Sequence, residues 1–127
     1  MKLIIGGTAQ GKLEYVLWKY PSQANKVWDG VLPKDTESVG STVIINHLHR
    51  WVKDRMINGG CPEDGLMSFL DHREDCIILC DEIGNGIVPA DPLERAYRER
   101  VGRILVQLAK RAEEVERILC GIGQKIK

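Results

Sequence analysis

The residue types and spacing with the clearest chemistry lie within the first thirteen residues. The stretch from Gly6 to Lys12 has the spacing G-x-x-x-x-G-K of a phosphate-binding loop. Glycines let the backbone turn tightly, successive N–H groups form an anion-binding nest, and the lysine brings a positive charge to the β- and γ-phosphates. We predict that the loop binds a purine nucleotide, ATP or GTP, through Gly6, Gly7, Thr8, Ala9, Gln10, Gly11, Lys12 and Leu13.

Leu13 departs from this pattern, because the residue after the lysine is normally a Ser or Thr whose hydroxyl ligates Mg²⁺. The sequence therefore predicts a phosphate cradle with a weakened magnesium site. The alternative is an ordinary glycine-rich turn between a strand and a helix. The context favours the nucleotide loop, because an apolar run precedes it and apolar residues follow it at helical spacing: Leu13, Val16, Leu17 and Tyr20.

Polar side chains at the carboxyl ends of strands are the other candidates, because ligands bind at that edge of an open α/β sheet. Asn46 ends one apolar run, and Asp81 and Glu82 end another. Phosphoryl transfer needs a carboxylate to hold Mg²⁺ near the phosphates. We assign the catalytic roles to Lys12 and Glu82 and the metal to Glu82, with Asp81 as an alternative. The competing interpretation is that these acids cap the next loop or remain solvated.

The remaining pattern predicts a single domain, residues 1–127, with strands that alternate with helices. The fold class is α/β, with a P-loop NTPase-like, doubly wound and mostly parallel sheet and helices on both faces. Strands are expected at 2–6, 26–29, 42–46, 76–83 and 115–120, with a further one at 125–127, and helices at 11–20, 47–57 and 62–70. A last helix starts with Asp91 as the N-cap, Pro92 as its first residue and Glu94 as the reciprocal capping partner.

Composition excludes several classes of function. Lysine plus arginine equals aspartate plus glutamate, at 18 each, so the charge predicts neither a nucleic-acid nor a membrane partner. No apolar run approaches the length of a membrane span, and the short N-terminal apolar stretch is not that of a signal peptide, so we expect a cytoplasmic protein. The four cysteines lack metal-ligand spacing and are expected to be buried, reduced core residues: Cys61, Cys76, Cys80 and Cys120.

The histidines and tryptophans give weaker signals. His47 and His49 follow a strand, two positions apart, and would not share a helix face, so surface or core-edge roles are expected for both. The charges around His72 are typical of a solvated turn. The three tryptophans, Trp18, Trp28 and Trp51, are expected to pack in the core, although one of them can still stack on a nucleotide base.

Several motifs resemble a known family. The stretch from Asp81 to Pro89 resembles the N-E-V-G-x-G-I-V-P motif of the adenosylcobinamide kinase/adenosylcobinamide-phosphate guanylyltransferase family, Tyr97–Arg103 resembles its F-R-D-x-x-G-R, and Gly121–Lys127 resembles its G-I-G-x-K-I-K tail. The resemblance implies a P-loop fold and a homo-oligomer, commonly a trimer. It also implies kinase and transferase activity in cobalamin biosynthesis, in which a corrinoid hydroxyl is phosphorylated and GMP is then attached through a guanylylated histidine.

Several residues depart from the family pattern, and these departures change the activity that we expect. Leu13 replaces the loop serine, Asn46 replaces an acid, and Leu105-Val106 replaces Asn-Gln. The loop 30–41 holds no histidine, so guanylyl transfer by the covalent route is not expected, and that role is not transferred to His47 or His49. We predict phosphoryl transfer to a corrinoid hydroxyl. The alternatives are a non-catalytic nucleotide-binding or regulatory relative and, with less support, a structural oligomerisation domain.

Overall fold

The structure is a computed structural model that describes residues 1–34, 36–84 and 90–127. Its strands are β1 (Lys2–Gly6), β2 (Asn25–Asp29), β3 (Thr42–Asn46), β4 (Ile77–Asp81), β5 (Glu114–Leu119) and β6 (Ile122–Lys125). Its helices are α1 (Lys12–Lys19), α2 (Leu48–Ile57), α3 (Pro62–His72) and α4 (Pro92–Arg111). The predicted helices and the five strands β1 to β5 are confirmed, although β2 and β3 follow each other directly in the order of elements. The last strand, expected at 125–127, is instead β6, the second strand of a hairpin with β5.

The strands form one six-stranded sheet in the order β2-β3-β4-β1-β5-β6. The first five strands are mutually parallel, and β6 runs antiparallel to β5. The strand next to β1 on one side is therefore β4, whereas β3 lies one strand farther away. This order decides which strand-end side chain reaches the glycine loop that follows β1.

Helices cover both faces of the sheet, as predicted. Side chains of α2, α3 and α4 pack on one face together with alternate strand residues such as Leu3 and Ile78. Helix α1 covers the other face, where its Val16 packs against Ile4 and Leu79. Because strand side chains alternate between faces, consecutive residues of β1 enter different apolar clusters, which explains the continuous apolar runs in the sequence.

The helix-start prediction is only partly confirmed. The Asp91 carboxylate accepts a hydrogen bond from the Leu93 N–H at 3.0 Å, as an N-cap should. Glu94 is not a reciprocal capping partner, because its carboxylate accepts instead from the Lys53 ammonium at 3.2 Å. That contact ties the start of α4 to α2. A long-range ion pair has therefore replaced the local bond that the sequence predicted.

The cysteine and tryptophan predictions are each wrong in part. Cys76 and Cys80 are buried, and burial raises the pKa of their thiols to about 11 and about 12. Cys61 and Cys120 are exposed, because both lie in connections rather than in strands or helices. Trp28 and Trp51 pack in the core, but Trp18 is 76% exposed.

An ion pair between α3 and α4 gives a stability prediction. Arg100 donates to the Glu63 carboxylate from Nε and from Nη2, and the Nη2–Oε2 distance is 2.8 Å. These hydrogen bonds lower the pKa of Glu63 to about 2. We expect Glu63→Gln to lower the free energy of unfolding by about 1–2 kcal/mol at neutral pH. Because the pKa is lowered, the difference should persist above the ordinary glutamate pKa and disappear as the pH falls towards 2.

Urea unfolding at several pH values measures this difference. Glu99→Gln is the matched control, because Glu99 lies 3.8 Å from Arg103 in an exposed pair within α4. The control should change stability by less than about 0.5 kcal/mol. Equal stability losses in the two variants would contradict the assignment.

Candidate phosphate-binding site

The loop from Gly6 to Lys12 connects the end of β1 to the start of α1, as predicted. A Cβ on Gly6 would lie 2.6 Å from the Ile118 carbonyl oxygen of β5, so only glycine fits there. Gly11 has φ 84° and Ala9 has φ 57°, left-handed conformations that make the backbone turn tightly. The glycines therefore serve a close approach between strands and a tight turn.

The first turn of α1 leaves its backbone N–H groups available to an anion. Gly11 is the N-cap residue, and no side chain caps this helix. The first helical hydrogen bond runs from the Tyr15 N–H to the Gly11 carbonyl at 3.0 Å. Because the preceding amides of a first turn have no intrahelical partner, they and the positive end of the helix dipole favour bound phosphate.

Gln10 fixes the loop to the hairpin between β5 and β6. Its side-chain Oε1 accepts from the Cys120 N–H at 2.7 Å, and its backbone carbonyl accepts from the Gly121 N–H at 2.9 Å. Cys120 and Gly121 both have positive φ, at 52° and 75°, as in a type I′ two-residue hairpin turn. The hairpin tip therefore has a fixed position relative to the loop.

The Lys12 side chain turns back into the loop and joins it to β4. Its ammonium donates to the Gly7 carbonyl at 2.8 Å and lies 2.6 Å from Oδ1 of Asp81. The other carboxylate oxygen, Oδ2, accepts from the Thr8 hydroxyl at 3.1 Å. Lys12 and Asp81 are each 7% exposed, so this is a buried pair of opposite charges at the centre of the loop.

The surroundings of Asp81 favour its charged form. Burial acts to raise the pKa of this carboxyl, but the hydrogen bond from Lys12, the neighbouring His49 and the Thr8 hydroxyl together outweigh burial and lower it. The carboxylate is therefore ionised at neutral pH. A phosphate that enters the loop meets both a cation that attracts it and an anion that repels it.

His49 contacts both the backbone and the side chain of Asp81. Its Nδ1 accepts from the Asp81 backbone N–H at 3.2 Å, so Nε2 carries the proton and faces Oδ2 of the same residue at 3.4 Å. Burial lowers the pKa of His49, although Asp81 opposes this. The Tyr97 hydroxyl donates to the His49 carbonyl at 3.0 Å. Both ring nitrogens of His49 therefore face Asp81, Nδ1 its backbone N–H and Nε2 its carboxylate.

A cavity of about 310 Å³ opens beside the loop. The loop and the N-terminus of α1 form one wall, and Asn46, His47, Arg50 and Asp81 form the other. Lys12 and Arg50 bring positive charge to this space, and Glu14 and Asp81 bring negative charge. The charged lining as a whole is therefore balanced, and attraction for a phosphate depends on the uncapped amides of α1 and on Lys12 at the loop itself.

Asn46 and His47 share a carboxylate at the edge of this cavity. The Asn46 Nδ2 donates to Asp29 Oδ1 at 3.3 Å, and His47 Nδ1 pairs with the same oxygen. His47 is the N-cap of α2 with φ 54°, so it precedes the helix, and its ring contacts that of His49 edge-on at 5.5 Å between centroids. The expected edge role fits His47, whereas His49 is buried against Asp81.

The Glu82 carboxylate is directed away from Lys12, towards β5. It pairs with Arg117 Nε on β5 at 3.0 Å, while the Glu82 backbone N–H bonds the Gly6 carbonyl at 2.8 Å. Asp81, the predicted alternative, is the carboxylate that contacts Lys12 and Thr8. Leu13, in the first turn of α1, lines the cavity and packs against the apolar cluster that contains Val16.

Sequence reasoning missed Arg50 and the position of His49. Both follow β3 by only a few residues, at the carboxyl edge where ligands bind, and that position was the available signal.

Within 1–34, 36–84 and 90–127 no group of three or more potential metal-ligating acids, histidines and cysteines occurs. None of the described helices has the length and apolarity to span a bilayer. The second half of the Asp81–Pro89 motif, residues 85–89, lies outside the described residues.

Comparison with known proteins identifies the family. The family model described as cobinamide kinase / cobinamide phosphate guanyltransferase matches residues 17–126. The bifunctional adenosylcobalamin biosynthesis proteins CobU of Escherichia coli and Salmonella typhimurium are 45% and 43% identical over 51 residues. That stretch is 40% of this chain and 28% of each relative, so the match spans less than a third of their length. Because the family model covers most of the sequence, the chain belongs to the cobinamide kinase/cobinamide phosphate guanyltransferase family.

Proposed function

We propose that this protein binds the triphosphate of ATP or GTP with Mg²⁺ in the loop of residues 6–13 and transfers a phosphoryl group to a corrinoid hydroxyl. The observation that carries the proposal is the buried contact between Lys12 and Asp81 at 2.6 Å, inside a loop whose helix amides are uncapped. The corrinoid acceptor is supported by the family and by the relatives' role in adenosylcobalamin biosynthesis.

Two side chains beside the loop, Asp81 and Thr8, can supply oxygen ligands to Mg²⁺. Mg²⁺ prefers oxygen ligands and takes one or two from protein carboxylates, completed by phosphate and water. Asp81 supplies an ionised carboxylate and Thr8 a hydroxyl 3.1 Å away, so their oxygens fit such an ion. We assign the metal to Asp81 and Thr8 in place of Glu82, because Asp81 and Thr8 line the cavity beside the loop, whereas the Glu82 carboxylate is directed to Arg117 on β5. A bound Mg²⁺ would neutralise phosphate charge and orient the transferred group.

The other side chains have defined tasks in this mechanism. Lys12 exchanges its ion pair with Asp81 for the β- and γ-phosphates, where it stabilises the charge that spreads over the transferred group. Arg50 faces the same cavity from α2 and stabilises the phosphate charge from the opposite wall. His49 is a positioning residue, because it touches Asp81 through both its ring nitrogens.

Guanylyl transfer through a covalent histidine is not part of the proposal. Of the two histidines near the loop, His49 has both ring nitrogens engaged with Asp81, and His47 has Nδ1 paired with Asp29. Loop 30–41, where the resemblance would place the histidine, has none. A nucleophilic histidine needs a ring nitrogen with a free lone pair directed at phosphorus. We also propose a homo-oligomer from the family alone, with a trimer as the expected state, and a cytoplasmic location from the sequence pattern.

A non-catalytic nucleotide-binding or regulatory role is the second candidate. It is favoured by Leu13, which has no metal-ligating hydroxyl, and by Asn46, whose amide is hydrogen-bonded to Asp29.

Incubation of the purified protein with adenosylcobinamide and Mg·ATP or Mg·GTP separates the kinase from the regulatory role. We expect formation of adenosylcobinamide phosphate that depends on Mg²⁺. Saturable nucleotide binding without any product would support the regulatory role and contradict the kinase.

A further inference from the structure

A second cavity lies between α1 and the β5–β6 hairpin, next to the loop. It measures about 620 Å³ and is lined by Gly11, Glu14, Tyr15, Trp18 and residues 121–123 of the β5–β6 hairpin. It shares Gly11 and Glu14 with the phosphate cavity. The two spaces therefore meet at the N-terminus of α1.

The lining of this cleft is aromatic and apolar. The Tyr15 and Trp18 rings lie 6.1 Å apart on consecutive turns of α1, tilted by 45°. Trp18 is 76% exposed and Ile122 is 72% exposed. Large apolar side chains are costly to leave in water, and an exposed indole beside a cleft offers a flat surface on which a base can stack.

The cleft is rigid relative to the phosphate loop. Gln10 bonds the hairpin tip through both its side chain and its backbone, at 2.7 and 2.9 Å. The Tyr15 ring lies against Gly123, where any side chain would collide with it. A ligand that spans both cavities would find them at a fixed separation, so little conformational entropy is lost on binding.

We propose that this cleft binds the heteroaromatic base of the nucleotide, with the base stacked on Trp18 and the hairpin residues Gly121–Gly123 covering its other side. The inference rests on the proposed function, since the phosphates must lie in the loop. It adds the residue that distinguishes a nucleoside triphosphate from a bare polyphosphate. Glu14, which lines both cavities, lies at the junction where the ribose must pass.

Calorimetric titrations with Mg·ATP, Mg·GTP and magnesium tripolyphosphate test this proposal. We expect Trp18→Ala to weaken binding of either nucleotide by about tenfold or more, the usual effect of a lost base–aromatic contact. Tripolyphosphate affinity should not change, and Trp18→Phe should retain most of the nucleotide affinity. Val106→Ala, at an exposed apolar position on α4, is the matched control and should leave all affinities unchanged.

The outcomes separate this proposal from the one on which it rests. Failure of the unaltered protein to bind tripolyphosphate or nucleotide would overturn the phosphate site itself. Equal affinity for nucleotide and tripolyphosphate would overturn only the base cleft. An equal loss of both affinities in Trp18→Ala would also overturn the cleft, because it would show a general structural effect. Quenching of tryptophan fluorescence by nucleotide, absent with tripolyphosphate and in Trp18→Phe, is the expected spectroscopic result.

Discussion

Asp81→Asn should strengthen metal-free nucleotide binding and weaken the response to magnesium. The carboxylate competes with phosphate for Lys12 and repels the phosphate charge, so its neutral replacement should raise affinity for ATP without Mg²⁺ by about tenfold. The same change removes the proposed metal ligand. Added Mg²⁺ should then give little further affinity, and Mg²⁺-dependent phosphoryl transfer should fall by about a hundredfold.

Glu82→Gln is the matched control for that variant, because the two acids are adjacent in sequence and lose the same charge. Since Glu82 pairs with Arg117, its replacement should leave the metal dependence of binding near that of the unaltered protein. Titrations of ATP with and without Mg²⁺ measure both variants. A loss of metal response in Glu82→Gln with none in Asp81→Asn would return the metal to Glu82, as the sequence alone predicts.

Stability of Asp81→Asn as a function of pH gives an independent check on the ion pair. The pKa of Asp81 is lowered on folding, so the stabilising contribution of the charged carboxylate is present above the ordinary aspartate pKa. It is lost as the pH falls through the lowered value in the folded protein. The difference in unfolding free energy between the two proteins should therefore shrink only in acid. A difference that grows in acid would contradict the ion pair.

Lys12→Ala should abolish tight nucleotide binding. The ammonium is the full positive charge inside the amide-lined loop, and loss of a charged hydrogen bond costs about 1.5–3 kcal/mol, or roughly 10- to 100-fold in affinity. Removal of one partner of a buried pair also costs about 3–5 kcal/mol of stability, because Asp81 is left uncompensated. Calorimetry and urea unfolding measure the two effects separately.

The double variant Lys12→Ala with Asp81→Asn separates binding from folding. Without an unpaired buried carboxylate, it should recover much of the stability lost by Lys12→Ala. The nucleotide affinity should stay low, because no cation remains at that position. Recovery of affinity together with stability would show that Lys12 supports the fold and does not contact phosphate.

The sequence predicted the loop and the sheet well, because both depend on local signals. The G-x-x-x-x-G-K spacing identified the turn at Gly11, and apolar runs located the five parallel strands. It led us to assign the metal to Glu82, with Asp81 only as the alternative, whereas Asp81 is the acid that contacts Lys12 and Thr8 in the structure. That choice depends on which face of the strand end meets the loop, and strand order places β4 directly beside β1.

Long-range contacts explain the other differences. Glu94 had a plausible local partner but bonds Lys53 on another helix. Trp18 was expected in the core from its residue type alone, yet its position on α1 turns it towards the hairpin cleft. Arg50 gave no motif, and only the packing of α2 brings it to the phosphate cavity. Such pairings follow from topology, which local patterns do not encode.

Amide chemical shifts during a titration with Mg·ATP or Mg·GTP test the central claim most directly, because the backbone N–H groups themselves are proposed to hold the phosphates. The largest, saturable shifts should fall on residues 7–13, and tripolyphosphate should reproduce them. Shifts scattered over the surface, with these amides unmoved at saturating nucleotide, would contradict a phosphate-binding loop at this site.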